Sequence, residues 1–311
     1  MADEYDDVTD LWYSWLFCRL HYFLVFGLIR SGLGPGARCL DVGCGTGFQS
    51  VLLNLCGHDV IGIDLAAALL AKATNKKAEA YLSRDFFNAP FPFVPRYSKK
   101  IRSLALQYRG TSKLGKSEFK VASATAIPFP DSSFDLVNCC GSTLSFIEDY
   151  DKAIREMART LKPGGILFIE VENKYNVDLV WPVLDAKFFG GRLGYDQPLE
   201  TVKANLFSRR LENVKIEYPF SGKQGEIDMP IWLFSAPRLL RDIQKTGFQV
   251  KSIHSVHSVT NLIPSVSLDK AVPSQKSMRL FGMLSAIEEI VASWPVFRRL
   301  GCSLILTAIK K

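Results

Sequence analysis

The chain has 311 residues, is 48% hydrophobic and 22% charged, and carries a formal net charge of +7. This composition supports one large core or two small ones and excludes wholesale disorder. The charge is local: residues 96–120 hold eight Lys or Arg against one acid, Glu118, and account for all of it. That excludes a protein that grips nucleic acid over its whole face.

The first element is an apolar stretch over residues 11–30, "LWYSWLFCRLHYFLVFGLIR". Arg19 and His21 in its middle make it a poor membrane span, and the acids before it are wrong for a signal peptide. Ser14, Cys18 and His21 form a narrow polar stripe on an otherwise apolar helix. The expectation is a helical lid over residues 1–33 that covers a pocket or partner, with contact to a membrane surface as the alternative.

After the turn Gly34-Pro35-Gly36, residues 34–311 read as one domain. "ARCLDVG" predicts a buried strand, "FQSVLLNLC" a helix, "DVIGID" a second strand and "AAALLAKAT" a second helix. Such alternation predicts a doubly wound parallel sheet. Residues 75–120 break the rhythm and predict an insertion with a helix near 97–108. "FKVASA" and "FDLVNCCG" resume the strands, "DYDKAIREMARTL" is an amphipathic helix, and "ILFIEVEN" is another strand. Residues 174–232 predict a second insertion of strands and short helices. "SAPRLLRDIQKTGFQVKSIHSV" restores helix then strand, and residues 302–310 end the chain as a strand. Seven scattered cysteines, none in a C-x-x-C pair, predict reduced thiols in a cytosolic protein and no metal site.

The stretch "LDVGCGTG" carries the chemistry. Glycines at the carboxyl end of a strand permit a tight turn and close approach of a ligand. Gly43, Gly45 and Gly47 give G-x-G-x-G, and Phe48 stands where a dinucleotide site has its last glycine. No Lys-Ser/Thr pair follows, so a P-loop is excluded. Asp64 ends the next strand, a position that suits a carboxylate accepting both hydroxyls of a ribose.

Four stretches in order, "LDVGCGTG", "VIGID", "ASATAIPFPDSSFDLV" and "LKPGGILFIE", resemble the class I S-adenosylmethionine-dependent methyltransferases. The last two look most like the branch containing quinone-biosynthesis and small-molecule methyltransferases. The resemblance implies an α/β fold, a doubly wound seven-stranded mixed sheet of Rossmann-like type, whose last strand runs antiparallel. It implies S-adenosyl-L-methionine as cofactor. Gly43, Cys44 and Gly45 would lie against its methionine part, and Asp41 would anchor the loop or the amino group. Asp64 would hold the ribose and Leu65 would pack on the adenine. Ser123 and Ala124 fall where the family usually has Asp-Ala beside the adenine amino group, so Ser123 is a departure. Cys140 would face the cofactor through its backbone.

In such a reaction the protein mainly aligns a nucleophile in a dry pocket. Candidate bases are His21, His254, His257 and Glu172; His254 and His257 share a predicted strand and point to opposite faces. The aromatics of the N-terminal helix and both insertions predict a bulky, largely apolar small-molecule acceptor such as a quinone precursor, lipid or aromatic metabolite. Three alternatives stand beside it. The basic segment 96–120, with Tyr97 and Tyr108 to stack bases, would suit RNA. The same segment and the N-terminal helix would suit an anionic membrane surface. The chain could also be an inactive cofactor-binding partner subunit.

Overall fold

The computed structural model describes residues 11–76, 93–195, 212–222, 225–267, 274–292 and 294–311. Its strands are β1 (Arg38–Val42), β2 (Asp59–Asp64), β3 (Ser117–Val121), β4 (Phe134–Cys139), β5 (Leu161–Glu172), β6 (Val214–Gly222), β7 (Gly225–Leu233), β8 (Phe248–Val256) and β9 (Ser303–Lys310). Seven of them form one sheet in the order β3-β2-β1-β4-β5-β9-β8, and β6 pairs with β7 apart from it. Within the sheet only β9 runs antiparallel to its neighbours, wedged between β5 and β8. The strand order reverses between β1 and β4, which opens a crevice at the carboxyl ends of those strands.

The helices are α1 (Leu11–Ser31), α2 (Phe48–Leu55), α3 (Ala67–Asn75), α4 (Phe93–Arg109), α5 (Tyr150–Thr160), α6 (Ala236–Lys245) and α7 (Gln275–Val291). Alternation along the strands divides the core in two. Cys39, Leu136, Ile166, Phe168 and Ile305 join α1, α2, α4 and α7 on one face. Leu40, Val137, Leu167, Ile169 and Leu306 join α5 and α6 on the other. α5 is well specified locally: Asp149 caps its amino end by accepting from Lys152 N at 2.9 Å, and Ala153, Ile154 and Met157 form its buried stripe.

The N-terminal helix α1 forms a wall of the core. Trp15, Cys18, Leu20, Leu24 and Leu28 are buried in the same cluster as β1 and β5. Gly27 lets the helix pass close over β5, where an added Cβ would lie 3.5 Å from Phe168. The residue that argued against a span is also housed inside. The Arg19 guanidinium sits 4.8 Å from the Phe23 ring, 5.5 Å from Tyr22, 5.6 Å from Tyr97 and 5.9 Å from Trp15, and it donates to the Tyr97 hydroxyl. Cation–π contact at such a desolvated site is worth about 2 kcal/mol. Among the described residues no helix is long and apolar enough to cross a membrane.

The basic segment carries the helix expected near residues 97–108. Much of it is α4, with Pro95 in the first turn, where a missing N–H costs little. Tyr97 is buried against α1. Tyr108 donates to the Leu33 carbonyl and lies 3.1 Å from His58 Nε2. Neither tyrosine presents a ring for stacking bases, which removes that support for RNA. Residues 77–92 of the expected insertion lie outside the described residues. Of the second, residues 177–189 form short helical turns and residues 214–222 and 225–233 pair as β6 and β7, while 196–211 and 223–224 lie outside the description.

Candidate active site

The loop joining β1 to α2 is built on left-handed glycines. Gly43, Gly45 and Gly47 have φ of 66°, 52° and 82°, a region L side chains avoid. Gly43 is also locked in space: an added Cβ would lie 2.1 Å from Thr143 Cγ2. Gly43 N and Cys44 N donate to the Ile63 carbonyl at 2.8 and 3.1 Å, which ties the loop to the end of β2. Asp64 completes the tie, one carboxylate oxygen accepting from Gly45 N at 2.9 Å and the other from Ala66 N at 2.8 Å. Each oxygen keeps a further lone pair for a ligand. Leu65, the next residue, is 72% exposed, an apolar surface at the mouth of the crevice. Val121, at the end of β3 beside Asp64, is exposed as well.

Beneath the loop runs a polar seam on one face of the sheet. Asp41 is buried and accepts from Ser50 Oγ at 2.6 Å and Asn138 Nδ2 at 2.7 Å. Burial pushes its carboxyl up to about 6, with the Ser50 and Asn138 bonds opposing the shift. Asp41 therefore anchors the loop through α2 and β4. The Cys140 thiol donates to Asn138 Oδ1 at 3.1 Å, and burial raises its pKa well above the ordinary thiol value. Its carbonyl accepts from Thr143 Oγ1 at 3.0 Å, so Thr143 bridges the ends of β1 and β4.

The seam ends at two carboxylates around one hydroxyl. Glu170 and Glu172 alternate onto the same face of β5. Ser142, held at φ 57°, places its hydroxyl 2.5 Å from Glu172 Oε1 and 3.3 Å from Glu170 Oε1. Glu170 also accepts from Ser142 N at 2.5 Å and receives hydrogen bonds from Ser303 and the Gly141 amide. Burial raises Glu170 above the ordinary carboxylate range, with those donors opposing the shift. Burial and the neighbouring Glu170 push Glu172 up to about 8.

The other predicted residues lie apart from this seam. Ser123 turns its hydroxyl into its own loop, 2.9 Å from Thr125 Oγ1 and accepting from Thr125 N at 3.2 Å; Ala124 packs on the α5 side of the core. His21 is buried in α1, which holds it neutral with a pKa lowered to about 3. His254 stacks on Phe23 with centroids 4.6 Å apart, and burial lowers it to about 4. His257 is not in the strand: it follows β8 at φ 60°, buried, with Nδ1 2.7 Å from Thr260 Oγ1 and its N–H donating to Glu288. Of the four candidate bases, Glu172 alone adjoins the crevice beside the glycine loop. Ser142, Thr143 and Asn138 were missed, because a serine or threonine after an apolar strand carries no signal until its distant partner is known.

This combination of strand order, glycine loop and acidic strand end agrees with the resemblance to the class I S-adenosylmethionine-dependent methyltransferases. Two methyltransferase-domain family models match residues 39–101 and 96–169. The ubiquinone/menaquinone biosynthesis C-methyltransferase UbiE of Escherichia coli O1:K1 is 38% identical over 195 residues, covering 61% of this chain and 62% of that protein. Its counterpart in Vibrio campbellii is 30% identical over 168 residues, covering 53% and 52%. The chain thus spans between half and two thirds of the length of these curated relatives. Two solved structures share the fold: an S-adenosylmethionine-dependent methyltransferase from Methanosarcina mazei (TM-score 0.50, 19% identity, 91% and 96% covered) and PH0226 protein from Pyrococcus horikoshii (TM-score 0.50, 17% identity, 99% and 96% covered).

Proposed function

We propose that this chain transfers a methyl group from S-adenosylmethionine to a bulky, largely apolar small molecule with an ionisable hydroxyl, and that Glu172 takes up that proton. The observation that carries the proposal is the adjacency, at one sheet edge, of the Gly43–Gly47 cradle and the Glu170–Ser142–Glu172 cluster. The cradle suits the cofactor in two respects: Asp64 keeps lone pairs for ribose hydroxyls, and Leu65 offers an apolar face for adenine. Asp41, Cys44, Ser123 and Cys140 would act through position and backbone, since their polar side-chain atoms are already bonded or turned inward, and Ala124 through its backbone alone.

When bound, the cofactor supplies an electrophilic methyl group. The chain's own residues would orient the acceptor and handle its proton. Glu172 in its carboxylate form would accept the hydroxyl proton, leaving an oxyanion that is either the nucleophile or the donor to an adjacent ring carbon. Ser142 would keep that carboxylate aimed, and the charge of Glu170 would raise its basicity. The acceptor class rests on apolar surface around the crevice, including exposed Phe146, Val180, Phe188 and Phe189, and on the relatives whose names place them in quinone biosynthesis.

Methyl transfer from labelled cofactor to small phenols and hydroquinones tests the reading. The expected result is transfer that rises with pH through about 8, levels off above it, and falls ~10²-fold in Glu172→Gln, with cofactor affinity kept. Equal rates in the parent and Glu172→Gln would remove Glu172 from the mechanism.

A further inference from the structure

α7 has two apolar faces. Phe281, Ser285, Glu288 and Val291 are buried, with Phe281 edge-on to Trp15 at 5.9 Å. Glu288 fixes the helix by accepting from the amides of His257, Val259 and Thr260. The roughly opposite side carries Leu280, Met283, Ile287 and Ile290, continued by Trp294, spaced alternately three and four residues apart. This repeat places one stripe along the helix. All five are exposed, Met283 at 65% and Ile290 at 71%, and Val296 extends the patch. Scattered surface apolar residues need no explanation, but a continuous stripe does.

The charges around the stripe identify its occupant. Lys276 and Arg279 flank its amino end and Arg299 its carboxyl end, all exposed. The neighbouring α4 contains no acid and presents exposed Lys99 and Lys100. Glu288 is buried, and Glu289 lies on the flank toward Tyr97. A second copy of the chain fits poorly: antiparallel pairing of two stripes would set Lys276 and Arg279 against Arg299, and parallel pairing would set Lys276 against itself. An apolar stripe ending in a tryptophan and bracketed by cations is the pattern of a helix lying in an anionic lipid surface. The position is also suitable, because residues 297–299 bond to Ser255 and Asn173 near the carboxyl ends of β8 and β5.

We propose that the outer face of α7, with Trp294 and Val296, docks the protein on an anionic lipid bilayer. This is independent of the methyl acceptor, and it moves the membrane contact from α1, which is buried, to α7. The test is flotation of the full chain with vesicles of phosphatidylcholine alone and of phosphatidylcholine with one third phosphatidylglycerol. The expected result is at least tenfold more protein on the anionic vesicles at low salt, reduced by added salt. The double variant Met283→Glu/Ile290→Glu would lose that binding while keeping its melting temperature and its affinity for S-adenosylhomocysteine. Three outcomes would overturn the proposal: no flotation at low salt, flotation unchanged in the double variant, or a dimer in solution that the double variant dissociates.

Discussion

Where β1 and β2 end, the chain offers backbone amides and one carboxylate; where β4 and β5 end, it offers two carboxylates around a serine hydroxyl. The first half is held by neighbours close in space and sequence: the loop, the Ile63 carbonyl and Asp64. The second is held by burial and charge: Glu170 fixed by donors, Glu172 forced to share its proton. The difference suits a site that binds the same cofactor every time on one side and manages a proton on the other. It also sets which perturbations each half withstands.

The largest difference should come from adding one methyl group to a glycine in each half. Gly43→Ala meets Thr143 at 2.1 Å and a φ of 66°, so a loss on the order of 3 kcal/mol or more is expected. Gly141→Ala has a similar φ, 77°, but nothing within 4 Å, so about 1 kcal/mol is expected. Denaturant unfolding of the two variants measures the gap, and equal losses would mean that Thr143 does not close the cradle.

A smaller effect separates the halves by pH. Glu172 is raised from its ordinary 4.5 to about 8, so between those values the folded state holds a proton that the unfolded state releases. Stability from this group falls as pH rises through that window and levels off above it. Glu172→Gln carries no such proton, so its stability relative to the parent should climb by about 2 kcal/mol from pH 6 to 8 and level off above that. A constant difference across that range would show that Glu172 is an ordinary carboxylate.

The smallest effect concerns a histidine outside both halves. His254 is lowered from 6.5 to about 4, so its contribution is whole above 6.5 and is lost as pH falls toward 4. His254→Phe keeps a ring against Phe23 and should be less acid-sensitive than the parent by about 1 kcal/mol at pH 5. Thermal melts at pH 7 and 5 measure it.

The same contrast explains what could be read from the sequence. Gly43, Gly45, Gly47 and Asp64 advertise their roles because a bare turn at a strand end has few other uses, and β9 antiparallel at the end of the chain follows from the family pattern. The seam was illegible because its bonds join distant residues: Asn138 to Asp41 across 97 positions and Ser142 to Glu170 across 28. α1 was ambiguous because apolar residues on nearly every side fit a lid, a membrane or a core, and its packing against β5 and α4 shows only in the structure. Tyr97 was misread as a base-stacking ring because the surrounding charges hid the stripe of Tyr97, Ile101 and Ala105 that seats α4 in the core.

The central claim is that the β1–α2 cradle and Asp64 together hold the nucleoside end of S-adenosylmethionine. Titration calorimetry of S-adenosylhomocysteine into the parent and Asp64→Ala tests it most directly, with a melting curve to verify that the variant is folded. The expected result is saturable one-to-one binding to the parent, weakened about 100-fold in the folded variant, as loss of two hydrogen bonds to a charged group implies. No heat from the parent, or the same affinity in both proteins, would contradict it.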